Sequence, residues 1–133
     1  MNSLKGKISS VKSDEHMSVI EMDVEGNVFK TIIIETPETV PFLKEGYPVN
    51  LMFKESEVSI GKDLSGGISL QNRIPCTIKE IKSGKLLSKI TLECKGNTIN
   101  SIITAAAVVQ LGLKVNDNVL ALIKTNEIIV APL

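Results

Sequence analysis

The sequence predicts an all-β protein with short helices, arranged as two tandem five-stranded barrels. Three observations lead there: the chain repeats itself, each copy breaks into short stretches of alternating apolar and polar residues, and a strong turn pair recurs at the same place in both. The copies align without a gap, placing Asn2 on Asn72, Ile8 on Ile78, Lys12-Ser13 on Lys82-Ser83 and Ser18 on Ser88. Further on, Gly26-Asn27 falls on Gly96-Asn97, Ile32-Ile33 on Ile102-Ile103, Leu43-Lys44 on Leu113-Lys114, Lys54 on Lys124 and Glu57 on Glu127. Residues 1–60 form the first repeat and 68–133 the second; the Gly-, Ser- and charge-rich stretch 61–67 reads as a linker.

In the first copy, Leu4 to Val11 and Met17 to Val24 alternate as half-buried strands do, and Gly26-Asn27 predicts a hairpin into Val28 to Ile34. The second copy repeats this with Ile74 to Ile81, Ser88 to Cys94 and Thr98 to Thr104. The alanine-rich run Ala105 to Leu111 then favours one or two helical turns, with Thr104 placed to cap it and Gly112 to stop it. Its counterpart has Pro37 at a helix start, but Pro41 follows too soon for a long helix. Val49 to Lys54 with Glu57 to Ile60, and Val119 to Lys124 with Glu127 to Val130, complete each copy. Five strands with a small helix between the third and fourth is the order of an OB-type barrel. A repeat of about 60 residues is small for an independent domain, so the two are expected to pack together.

Composition narrows the function. The 15 basic and 15 acidic residues cancel to a net charge of +0, and Arg73 alone among the basic residues is an arginine. Phe29, Phe42, Tyr47 and Phe53 are the only aromatic residues. Neither a polyanion-binding surface nor a base-stacking platform fits, so no nucleic-acid partner is expected. The apolar runs are far short of the roughly 18 to 20 residues that span a bilayer, and Met1 to Gly6 lack the apolar core of a secretory signal. These readings predict a soluble cytoplasmic protein without a membrane partner. Cys76 and Cys94, with no CxxC and no neighbouring histidine, read as two buried thiols in preference to a metal site or a disulfide.

No catalytic constellation is present: there is no Ser/His/Asp set, no HExxH, no phosphate-binding glycine loop, and the one histidine, His16, lies in a polar turn. Glu55 and Glu57 read as solvated charge at a strand end. An enzyme is not expected, nor a metal or cofactor. What remains is a set of small polar donors at strand ends, Ser69, Gln71, Asn72, Thr104 and Lys124-Thr125. Such groups suit a tetrahedral oxyanion, which needs several hydroxyl and N–H donors and a cation to offset its lost hydration.

A family resemblance sharpens this. Ser101-Ile102-Ile103-Thr104, Leu111-Gly112-Leu113-Lys114 and Val119 to Thr125 are similar to the "IT" strand end, "LGLK" and "V-x-A-x-[IV]-K-[ST]" of Mop domains. Mop domains are the molybdate-binding members of the TOBE group, found in molbindins and as regulatory ends of molybdate-responsive transporters and repressors. Ile68 to Ile74 resembles the family's "I-S-A-R-N-x-L", and Asn2 to Ile8 its "N-x-L-x-G-x-[IV]". The resemblance implies a molybdate or tungstate ligand held by Ser69, the backbone N–H of Leu70, Gln71, Thr104, Lys124 and Thr125, with Asn72 and Lys54 as secondary candidates. It also implies sites at interfaces between domains and strand exchange into rings of six domains, here a trimer of tandem chains.

The sequence departs from the family at telling positions. Gln71 stands where the family has arginine, which removes a charged fork from the anion, and Ala107 stands where a hydroxyl is usual. In the first copy Lys54 is kept, but Ile34, Pro37 and Glu55 replace hydroxyl positions, so that copy is expected to support structure more than binding. The leading expectation is oxyanion binding for storage, buffering or sensing. The alternatives are a ligand-sensing module of a regulator or transport ATPase, and a structural TOBE pair that has lost its ligand.

Overall fold

The computed structural model describes all residues from Met1 to Leu133. The first copy contributes β1 (Asn2–Ser13), β2 (Ser18–Val24), β3 (Asn27–Ile33), β4 (Pro48–Phe53) and the short β5 (Ser59–Gly61). The second contributes β6 (Asn72–Ser83), β7 (Leu87–Cys94), β8 (Asn97–Thr104), helix α1 (Ala105–Leu111), β9 (Asn118–Ile123) and β10 (Ile129–Pro132). Alternation works as expected: along β2, Ser18, Ile20, Met22 and Val24 turn inward and are buried. Both long first strands carry a bulge at the same place, after Ile8 in β1 and after Ile78 in β6. Each bulge bends its strand, so one end serves the hairpin partner and the other serves β4 or β9.

Helix α1 has the termini the sequence implies: the Thr104 hydroxyl accepts the Ala107 N–H at 3.1 Å, and Gly112 takes the left-handed conformation at φ 60°. The Pro37–Pro41 stretch makes turns and no helix, because two prolines four residues apart remove the N–H groups a helix would need. The hairpin turns sit one residue earlier than the sequence suggests. Glu25-Gly26 and Lys95-Gly96 are the central pairs, all four with positive φ, while Asn27 and Asn97 already pair across the strands.

The two sheets run β10-β4-β1-β2-β3 and β5-β9-β6-β7-β8. Each barrel therefore borrows its edge strand from the other copy: Ile60 pairs with Ala121, and Val130 with Leu51. A single apolar core runs through both barrels, from Leu4, Phe29 and Phe53 to Ile78, Ile99 and Ile123.

Beyond the exchanged strands, the barrels are joined by a pair of asparagine clamps related by the repeat. Asn72, fully buried, accepts the Lys30 backbone N–H at 2.6 Å and donates to the Lys30 carbonyl at 2.8 Å. Asn2 does the same to Asn100, at 2.8 and 2.9 Å. Each amide thus extends a foreign strand's ladder as a peptide group would. Next to each clamp a buried hydroxyl repeats the symmetry: Thr31 donates to the Ile128 carbonyl at 2.7 Å, and Ser101 to the Val58 carbonyl at 2.6 Å.

The cysteines correct the sequence reading. Cys76 and Cys94 form a disulfide between β6 and β7 and are not two thiols. Their separation of 18 residues hides the fact that the pairing of Thr77 with Glu93 sets them opposite one another, with Cα atoms 4.6 Å apart. The equivalent pair in the first copy is Gly6 and Val24. There a Cβ on residue 6 would lie 2.7 Å from the Asp23 carbonyl oxygen and 2.8 Å from a Val24 methyl, so a bridge has no room. Closing a loop of this length stabilises by about 3 kcal/mol in the chain-entropy model. Reduction, or Cys76→Ser with Cys94→Ser, is expected to lower unfolding stability by about that amount in a urea titration. Equal midpoints with and without reductant, with thiol counting confirming the bond, would contradict it.

The linker is latched at its start. Lys62 donates to the Gly112 carbonyl at 2.9 Å and to the Asp117 carboxylate at 3.1 Å. The Lys114 backbone N–H, and then Lys62, hold the Asp117 carboxyl below its usual range.

Candidate functional site

The 3₁₀ turns that follow β4 and β9, Glu55–Glu57 and Thr125–Glu127, lie where the two copies meet. Each packs against the third strand of the other barrel, the first on β8 and the second on β3. The Thr31 and Ser101 hydroxyls described above hold the turns there through the carbonyls that follow. Glu55 and Glu57 are thus half-buried in a turn and do not sit on a strand end, as the sequence had suggested.

Between the second turn and the segment leading into β6 is a cavity of about 470 Å³. Ser69, Leu70, Gln71, Lys124 and Thr125 all line it, brought together because Asn72 of β6 pairs with Ile123 of β9, which sets the residues just before one strand beside those just after the other. The first copy supplies Ser56, Glu57 and Ser59, and Glu127 completes the wall. Ser69, Gln71 and Lys124 are exposed, and Lys124 has no carboxylate partner.

Two candidates stand elsewhere. Thr104 caps α1 and does not line this cavity. Asn72 is buried with both amide atoms engaged on Lys30, so its role is to join the barrels. Lys54 is exposed and lines a smaller cavity of about 220 Å³, the repeat-related twin, together with Met1, Glu57, Asn126 and Glu127. Glu55 is the counterpart of Thr125 in the first copy, and the Met1 ammonium bound to it holds its carboxyl below the usual range. Arg73 lies exposed on β6, and His16 points into solvent with 82% of its side chain exposed.

Sequence reasoning missed Ser56, Ser59, Glu57 and Glu127 as cavity residues. For the two glutamates a signal existed, since they are identical at equivalent positions of the copies; for the serines there was none, because their place depends on the strand exchange.

Fold and site together define a class: a strand-exchanged tandem of OB-like barrels with a polar, lysine-bearing cavity where the copies meet. Residues 68–130, nearly the whole of the second copy, match the TOBE domain family. It is similar in structure to the cytoplasmic molybdate-binding protein ModG in a crystal form with molybdate bound, at 27% identity and a TM-score of 0.92, covering 99% of this chain and 96% of that one. The molybdenum import ATP-binding proteins ModC of Brucella abortus and Brucella suis are 30% identical over 122 residues, 91% of this chain. The chain spans 32% of the length of these ModC proteins.

Proposed function

We propose that this protein binds molybdate or tungstate in the cytoplasm, for storage, buffering or sensing, and carries out no reaction. One observation carries the reading: Ser69, Leu70, Gln71, Lys124 and Thr125 converge on one cavity, in a chain whose fold matches a molybdate-binding protein over nearly its whole length. Lys124 supplies the charge, and the hydroxyls, the amide and the backbone N–H supply neutral donors that a tetrahedral anion needs on several sides. The group needs no resident cofactor. Thr104 reaches a site only in an assembly, where the start of α1 from one copy of the chain meets the cavity of another. The exposed apolar side chains Leu86, Leu87 and Val109 near that helix support association between chains, which we take to be a trimer of tandem chains. Light scattering giving an obligate monomer would remove the assembly from this reading.

The test is isothermal titration with molybdate, tungstate and sulfate. Lys124→Ala is expected to weaken molybdate or tungstate binding about tenfold to a hundredfold, the range of a lost charge-assisted hydrogen bond. Lys54→Ala is expected to change it less than threefold, because Glu55 already places a carboxylate beside that lysine. No heat from a folded wild-type protein would sink the proposal. The match to ModC favours a second reading, in which the same cavity senses the anion on behalf of a transport ATPase. Binding of an ATPase partner that changes with the anion would distinguish it from storage.

A further inference from the structure

The charge inventory of the cavity does not match that of a site for a dianion. Lys124 shares the cavity wall with two carboxylates, Glu57 and Glu127, one from each copy. Both are half-buried, and neither has an ion-pair or hydrogen-bond partner for its carboxylate. Both also line the twin cavity beside Lys54, so the two glutamates lie between the two cavities.

The surroundings supply little compensation. Glu55 is bound to the Met1 ammonium, and Lys30 of β3, which packs on the second turn, is paired with Glu21 at 3.3 Å. Strand β8, which packs on the first turn, carries no charged residue, and the field of Lys89 on the neighbouring β7 falls on Glu55. That leaves Lys124 and Lys54 opposite Glu57 and Glu127, a balance near zero before any anion enters. A tetrahedral dianion entering a cavity lined by two carboxylates meets like charge, whereas a carboxylic acid offers it an O–H donor.

We infer that Glu57 and Glu127 make oxyanion binding proton-coupled: as the anion enters, a proton from solvent adds to one carboxylate oxygen, and the resulting O–H donates to the anion. The inference rests on the oxyanion reading above and assigns these two residues the control of affinity and pH response. By linkage, the binding constant then falls by up to tenfold per pH unit wherever one proton is taken up with the anion.

The experiment is titration of the intact protein with molybdate and with tungstate from pH 6.0 to 8.5, each pH in two buffers of different ionisation enthalpy, so that protons taken up are counted. About one proton per anion is expected, with affinity declining toward high pH. Glu57→Gln, Glu127→Gln and the double variant keep a donor in place and remove the charge. The double variant is expected to bind at least tenfold tighter at pH 8 with no proton uptake, and the single variants to fall between. Anion binding without proton uptake, an unchanged pH slope in the double variant, or lost binding in a double variant shown folded by circular dichroism would each overturn the inference and leave the oxyanion site standing. No binding by wild type or variants at any pH overturns the oxyanion reading itself.

Discussion

Asn72→Ala is expected to destabilise the protein by about 2 to 6 kcal/mol, since it strands two polar backbone groups of Lys30 at a cost of about 1 to 3 kcal/mol each. Asn72 has no exposed surface, and its contacts to Lys30 at 2.6 and 2.8 Å cross from one barrel to the other, so no water is positioned to replace them. Against a total stability of about 5 to 15 kcal/mol for a chain of this kind, that is a large share. Lys30→Ala is the matched control: the clamp uses only the backbone of residue 30, and the side chain makes a surface ion pair with Glu21 worth less than about 1 kcal/mol. Asn2→Ala should resemble Asn72→Ala, and the double variant should fall short of the sum because both clamps hold one interface. Urea unfolding checks all four; a change under about 0.5 kcal/mol for Asn72→Ala would show that the clamp does not hold the barrels together.

The second large effect concerns the copies in isolation. A chain of residues 68–133 has no β5 to complete β9, no β4 to receive β10, and no Lys30 backbone for Asn72. It is expected to fold only as a dimer, in which two copies exchange β10 as the two repeats exchange strands here. Its unfolding midpoint should then rise with protein concentration and, at equal concentration of domains, lie below that of the full chain, whose exchanged strands are covalently joined. Sedimentation combined with thermal scans over a hundredfold concentration range measures this directly. A folded monomer with a concentration-independent midpoint would show that the barrel closes without its exchanged strand.

What was legible in the sequence follows from the range of each interaction. Helix α1 was readable to the residue because Thr104, the alanine run and Gly112 act within one turn of chain. The strands were readable from alternation, and the hairpins to within one residue, the error arising because Gly26-Asn27 and Glu25-Gly26 are both plausible turn pairs until backbone φ is known. The identity of Asn2 with Asn72 was visible, but its purpose was not, because the partners Asn100 and Lys30 are supplied by the other barrel. For the same reason Asn72 passed for a ligand. The disulfide was hidden because cross-strand register, and not spacing along the chain, brings Cys76 to Cys94. In the candidate site, the residues named by the motif came from one copy, whereas Ser56, Glu57 and Ser59 entered from the other by way of the exchanged β5.

The exchanged strands bear on how the two copies can diverge. After a duplication, one copy is ordinarily free to decay while the other keeps the trait. Here each copy ends inside its sibling's sheet, so a frameshift or deletion in either removes an edge from both. Selection on a site in either copy would therefore preserve the architecture of both. The residues around the two cavities are under no such tie: Glu55 stands where the second copy has Thr125, while Asn2, Ile8 and Thr31 hold the framework. The arrangement ties the copies together as structure while leaving the groups around each cavity free to differ.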